Sequence, residues 1–264
     1  AVEKVLSNVD KLGLETKSIL EALNHVAFEN VIAEIDIPQV NNSSMDGYAV
    51  KSRDVKKASA DKPVDLAVIG MISAGQIPDV KVVENSSVKI MTGASIPQGA
   101  DAVIPFEDIV VTKNKGVRVF APVDRWNNIR DAGEDVKKGN VLIQKGKLIS
   151  AADIGVVASQ GLSEIKVVKK PVVAILATGN ELMLPGAILE KGKIYDSNSP
   201  AIAAAVMEAG GIPKVLGIAK DNYDSLNEKI DLALSCDLII TSAGVSKGDY
   251  DIVKDFINNR GEIQ

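Results

Sequence analysis

One cysteine, one histidine and one tryptophan are all that this 264-residue chain carries of three chemically versatile residue types. Cys236 has no second thiol within the chain, so no internal disulfide forms and a reducing compartment fits. A single histidine, His25, excludes catalysis built on two histidines and speaks against a zinc site of His and Cys ligands. Aromatic residues make up 3% of the chain, which leaves Val, Ile, Leu and Ala to build the core. No apolar run approaches the roughly 18–20 residues of a transmembrane helix. Residues 1–14 carry scattered charges and no signal-peptide core. A formal net charge of −5 argues against a nonspecific nucleic-acid binder, which is usually basic. The expectation is a cytoplasmic protein with neither a membrane nor a nucleic acid as partner.

What is present is ordinary in bulk and specific in pattern. The chain is 46% hydrophobic and 25% charged, as a globular protein is, and its length suggests two domains. Thr16 reads as the cap of a helix running to about Asn30, with Ile19, Leu23, Val26 and Ala27 at helical spacing. From about 50 to 147, short Val/Ile-rich runs alternate with Gly, Pro, Asn and Asp: Val64–Ile69, Val88–Met91, Ala102–Pro105, Ile109–Thr112, Val117–Ala121 and Val141–Gln144. That is a mainly β region. Ser150 with Asp153 makes a capping box for a helix ending near Gly161. After Lys169 the pattern becomes strand Val172–Ala177, a helix opened by Ser199 and Pro200, strand Lys214–Ala219, helix Asp224–Ser235, strand Asp237–Thr241 and a helix over about 249–258. Alternation of this kind implies a doubly wound parallel sheet covered on both faces.

Two acidic loops stand out, Asn42–Val50 and Thr241–Asp251. Each sets small residues, which leave backbone N–H groups accessible, beside an aspartate. Oxyanions need the N–H groups and a hard cation needs the carboxylates. In open α/β sheets ligands bind beyond the carboxyl ends of the strands. If the first and third strands of this region are neighbours, Glu181 and Asp251 border one crevice. Plain alternatives accompany each residue. Ser242, Gly244, Ser246 and Gly248 also make a simple Gly/Ser turn. Asp46 and Asp135 fit turn positions beside glycine, and Asp196 lies where helix capping is expected. Thr92, in Met91-Thr92-Gly93-Ala94, either donates to an oxyanion or sits in a turn. His25 is expected beside a surface helix, Cys236 in a buried strand, and Trp126 in simple packing.

Taken together, six segments resemble the molybdopterin molybdenumtransferase family, the MoeA proteins and the E domain of gephyrin. They are Asn42–Val50, Ile90–Glu107, Arg130–Asp135, Ala177–Leu182, Ile194–Asn198 and Thr241–Asp251, in the family's order across most of the chain. The resemblance implies a multidomain α/β protein. An elongated, helix-containing domain would take residues 1–40 and 130–168. A mainly β domain would be inserted at 41–129, and a molybdopterin-binding domain would occupy 169–264, incomplete at its C-terminus. It implies a homodimer whose active site is shared, with Asp46 and Thr92 of one subunit facing Glu181 and Asp251 of the other.

The implied reaction joins adenylylated molybdopterin with molybdate (or tungstate) and releases AMP, with Mg²⁺ offsetting the negative charge of both. Asp46, Asp135, Glu181 and Asp251 would be the catalytic carboxylates, and Glu181 and Asp251 the metal ligands. Thr92, Ser242, Gly244, Ser246 and Asp196 would contact the substrate. The chain departs from the family pattern in three places. Ala243-Gly244 replaces the usual Gly-Gly, Asn180 stands where aspartate is common, and the family's further strand, Pro-Gly-Lys-Pro loop and small β domain do not follow Gln264. A fragment of reduced activity is therefore expected. Two other functions share parts of the pattern, a non-catalytic molybdopterin-binding scaffold and a molybdopterin adenylyltransferase.

Overall fold

The structure, a computed structural model, describes residues 2–242. Two compact units divide the chain. One is Val31–Leu142; the other takes the chain up to Asn30 and from Ile143 onward.

The unit Val31–Leu142 is built on a six-stranded mixed sheet. Its order is Ala102–Pro105, Gly47–Val50, Ser86–Ile90, Val64–Ile72, Val117–Val119 and Ile109–Val111. All neighbours are antiparallel except Val64–Ile72 with Ser86–Ile90. Side chains alternate between two cores. Tyr48, Val50, Leu66 and Ile104 fill one, and Ala49, Val88, Ile90 and Val103 fill the other. Strand Gly47–Val50, buried at all four positions, was hidden in the sequence within an acidic small-residue loop. Its first residue must be glycine, because a Cβ there would lie 2.1 Å from the Ile104 carbonyl oxygen.

In the other unit, the expected helix from Thr16 to Asn30 does not form. Leu14–Ser18 is a strand, paired antiparallel with Glu164–Val168. A capping-type exchange between Ser18 and Glu21 is present, but it opens only a turn. Backbone bonds explain this. Ile19 N–H donates to Ser163, Ala27 N–H to Lys147 and Phe28 N–H to Lys166, so pairing with distant segments overrides the local helical spacing. His25 lies in that turn, its Nδ1 3.3 Å from the Leu23 carbonyl. The capping box of Ser150 and Asp153 forms as expected and opens helix Ala151–Ser159.

Among the described residues the α/β part carries a sheet of three parallel strands in the order Ile212–Ala219, Val172–Thr178, Leu238–Thr241. The central strand is buried from Val173 to Thr178. Leu176 packs with Ala219, Leu226 and Ile230 of helix Tyr223–Ala233. Val173 and Ile175 pack with Val206 of helix Asn198–Glu208. Helices therefore cover both faces, as the alternating pattern predicted. Cys236 is half-buried in the turn before the third strand, rather than inside it. The helix expected over 249–258 lies outside the described residues. Among those described, no helix is long and apolar enough to cross a membrane.

Gly47→Ala is expected to lower stability by about 1–3 kcal/mol, because the strand must shift off Ile104. Gly155→Ala, with nothing within 4 Å of the added Cβ in an exposed helix position, should raise it by about 0.5–1 kcal/mol. Chemical denaturation of both variants checks the contrast. Burial pushes the Asp153 carboxyl up, but hydrogen bonds from Lys147 Nζ, Ser150 Oγ and Ser150 N–H prevail and hold it at about 2 rather than 3.8. A depressed folded-state value stabilises the fold above the unfolded value and stops doing so as protons bind. The contribution should be complete above pH 3.8 and vanish as pH falls through about 2, and Asp153→Asn should remove that part of the acid profile.

Candidate functional site

Asp46 and Thr92 come together because their strands are neighbours. Gly47 pairs with Ile90, so the residues flanking that register, Asp46 and Thr92, meet at one sheet end. Asp46 Oδ1 accepts from Thr92 N–H at 2.7 Å and from Thr92 Oγ at 2.8 Å. The loops are braced from behind. Buried Ser43 donates through Oγ to the Met45 carbonyl, and Gly93 N–H donates to the Ser43 carbonyl. The Thr92 amide, then the Thr92 hydroxyl, hold the Asp46 carboxyl below its ordinary value, and the Lys89 ammonium adds to this. Asp46 is exposed, and its Oδ2 has no hydrogen-bond partner among the described residues. This loop presents a fixed anion with one oxygen free.

Asp135 is held separately. It forms an ion pair with Arg130, which also lies 3.7 Å from Glu134. Asp135 N–H and Gly133 N–H donate to the carbonyls of Ile37 and Pro38, which fixes the Arg130–Asp135 loop. Trp126, expected to pack simply, is 38% exposed and donates its indole N–H to Asp131 at 2.8 Å.

Within the α/β part, the first and third predicted strands are neighbours and parallel, so their carboxyl ends lie on one edge. Ser242 follows the third strand and donates its N–H to the Leu176 carbonyl. Glu181 follows the central strand, in a turn fixed by Gly179 N–H to Ala219, Leu182 N–H to Gly179 and Ile194 N–H to the Glu181 carbonyl. Its carboxylate folds over Gly179, where a Cβ would come within 2.6 Å of Oε2. That carboxylate is exposed and has no polar partner among the described residues. Asp196 is 2% exposed, and Oδ1 accepts from Ser199 N–H at 3.0 Å. The helix accordingly starts at Asn198, and Asp196 supplies the capping that the sequence suggested for Ser199. Gly244, Ser246 and Asp251 lie outside the described residues.

Sequence reasoning missed three charged residues that shape these loops. Lys89 approaches Asp46, while Asp221 and Lys193 bond the Asn180 backbone. Lys89 lies among apolar residues of a strand and the other two in polar stretches, none within a local motif, so only strand topology could have found them. No group of three or more His, Cys, Asp or Glu side chains that could hold a metal occurs among the described residues.

Comparison with known proteins identifies the family. Residues 1–161 match the MoeA N-terminal region (domain I and II), and residues 174–263 match a probable molybdopterin binding domain. A molybdopterin molybdenumtransferase of Staphylococcus aureus is 36% identical over 252 residues, 95% of this chain and 60% of that protein. One of Staphylococcus epidermidis is 36% identical over 256 residues, covering 95% and 61%. The molybdopterin biosynthesis MoeA protein of Pyrococcus horikoshii superposes with a TM-score of 0.88 at 34% identity, over 99% of this chain and 66% of that one. The chain thus spans about 60% of the length of the curated relatives it matches.

Removing the hydroxyl should reveal its share of the Asp46 anion. In Thr92→Val the carboxyl is expected to titrate at higher pH than in the parent, yet still below its ordinary value, because the stronger amide bond remains. Carboxyl-carbon NMR titration of Asp46 measures both shifts.

Proposed function

Because the chain belongs to the MoeA family, we propose that it transfers molybdenum to molybdopterin. Adenylylated molybdopterin and molybdate (or tungstate) are the substrates. The phosphoanhydride is cleaved, AMP leaves, and the dithiolene sulfurs take the metal. One observation carries the reading: the Glu181 carboxylate, at the carboxyl end of the central strand, is exposed and, among the described residues, unpartnered on a turn whose backbone is tied down.

The donors fit a hard divalent cation. Mg²⁺ commonly takes one or two protein carboxylates and completes its shell with water and substrate phosphate oxygens, so a dense acidic cluster is not required. Glu181 and Asp251 are the residues that would hold it, and the ion, when bound, supplies positive charge to offset pyrophosphate and molybdate. The remaining work belongs to the protein. Thr92, Ser242, Gly244 and Ser246 bind phosphate and pterin oxygens or ring atoms. Asp196 binds the substrate from its place at the helix start. Asp46 and Asp135 orient water or a substrate proton; the depressed value of Asp46 keeps it an anion through the neutral range.

In our reading the protein is a cytoplasmic homodimer, and each site pairs the Asp46–Thr92 loop of one subunit with Glu181 and Asp251 of the other. We place the domain limits at 1–40 with 130–168, 41–129 and 169–264. Release of AMP from adenylylated molybdopterin, dependent on molybdate, is the test. Glu181→Ala or Asp251→Ala should abolish it while leaving far-ultraviolet circular dichroism unchanged. Full turnover in either variant sinks the assignment. A scaffold would release no AMP in the parent protein, and an adenylyltransferase would consume ATP instead.

A further inference from the structure

We infer that Lys193 is a positioning residue for the proposed transfer: its ammonium clamps the Asn180 carbonyl and thereby sets the Glu181 carboxylate. The inference rests on the role proposed for Glu181. Lys193 Nζ donates to the Asn180 carbonyl oxygen at 2.5 Å. That oxygen belongs to the peptide joining Asn180 to Glu181. Because a peptide is planar, holding its oxygen fixes the plane from which the Glu181 Cα departs. The other side of Asn180 is held too: its N–H donates to Asp221 Oδ2 at 3.1 Å, and Asp221 N–H returns to Asn180 Oδ1 at 3.4 Å. A cation on the carbonyl and an anion on the N–H thus grip one residue from opposite ends.

The choice of partner is the informative part. Among the described residues Lys193 forms no ion pair, and its ammonium donates to a neutral carbonyl. A hydrogen bond from an ammonium to a carbonyl is charge-assisted, so the turn is held firmly. Had Lys193 paired with Glu181, the carboxylate would be neutralised and unavailable to another cation. Lys193 is itself placed by the structure. Its N–H donates to the Glu190 carbonyl, it is half-buried, and strand Ile194–Tyr195 follows directly, paired with Leu182–Met183. Tyr195 Oη donates to the Ala187 carbonyl at 2.8 Å and braces the connecting segment. The carboxylate in turn lies against Gly179, so a change in the peptide plane moves it directly.

Lys193→Met and Lys193→Arg test this on two independent readouts. Amide hydrogen exchange at Leu182 and Ile194, whose N–H groups close the turn, should quicken about tenfold in Lys193→Met and stay within about twofold in Lys193→Arg. AMP release should lose about tenfold in kcat in Lys193→Met, with KM for adenylylated molybdopterin within about twofold, and Lys193→Arg should recover most of it. Unchanged exchange in Lys193→Met overturns the inference. So does a loss confined to KM, which would make Lys193 a direct substrate contact, or a failure of arginine to rescue. Full turnover in Glu181→Ala would refute the parent reading. An inactive Glu181→Ala beside a fully active Lys193→Met would refute this inference alone.

Discussion

Burial of the strand Val172–Thr178 on both faces is the constraint from which the α/β part follows. A strand flanked by two parallel neighbours and covered by helices on each side has no solvated face, so its side chains must be apolar along its length. Val-Val-Ala-Ile-Leu-Ala meets that demand. Chemistry can then begin only where burial ends, and it does so abruptly: Gly179 is buried, Asn180 and Glu181 are exposed. Because the neighbours run parallel, their carboxyl ends share the same edge. The loops there take their anchors from the sheet itself, through the carbonyls of Ala219 and Leu176. Rigidity at this edge is a by-product of the core.

The Val31–Leu142 unit reaches a comparable result by close approach. Strand Gly47–Val50 lies against Ala102–Pro105 so tightly that the first residue has no space for a side chain. That contact fixes the turn just before it, where Asp46 sits. The register with Ser86–Ile90 then delivers Thr92 to the same carboxylate. A backbone amide is the largest influence on that carboxyl, and a backbone donor cannot rotate away as a side chain can. The anion is thus preset by sheet geometry before any ligand arrives.

The sequence made the α/β alternation legible because its signals were local and agreed with one another. Apolar runs and terminal glycines gave strands and helices close to those observed, while adjacency of the first and third strands entered only as a condition, which the parallel pairing of Val172–Thr178 with Leu238–Thr241 meets. Two elements were illegible for physical reasons. Residues 16–30 carry helical spacing, but their hydrogen-bond partners lie more than a hundred residues away, and that pairing decides their conformation. Gly47–Val50 looked like a turn because glycine and alanine were read as loop residues, whereas here small size permits a central strand. At the candidate site, Asp46 with Thr92 was anticipated only through the family resemblance. The grip of Lys193 and Asp221 on Asn180 depends on chain crossings that no local window contains.

Four aspartates and glutamates that look equivalent in sequence differ in the oxygen valence they have left. Asp196 is buried, and its Oδ1 accepts from Ser199 N–H in the first turn of a helix. Asp135 is engaged by Arg130, in an exposed pair that contributes little to stability and opens at small cost when a better partner arrives. Asp46 has one oxygen doubly occupied and one free among the described residues. Glu181 has both oxygens unpartnered among the described residues, on a backbone that is not free to move. A cation seeking hard oxygen donors gains most where nothing has to be displaced and nothing has to be ordered. On that argument Glu181 is the best placed of the four to take a cation, while the Asp135 carboxylate is freed only if Arg130 finds another anion. Under the proposed function, a phosphate or molybdate oxygen would be such an anion.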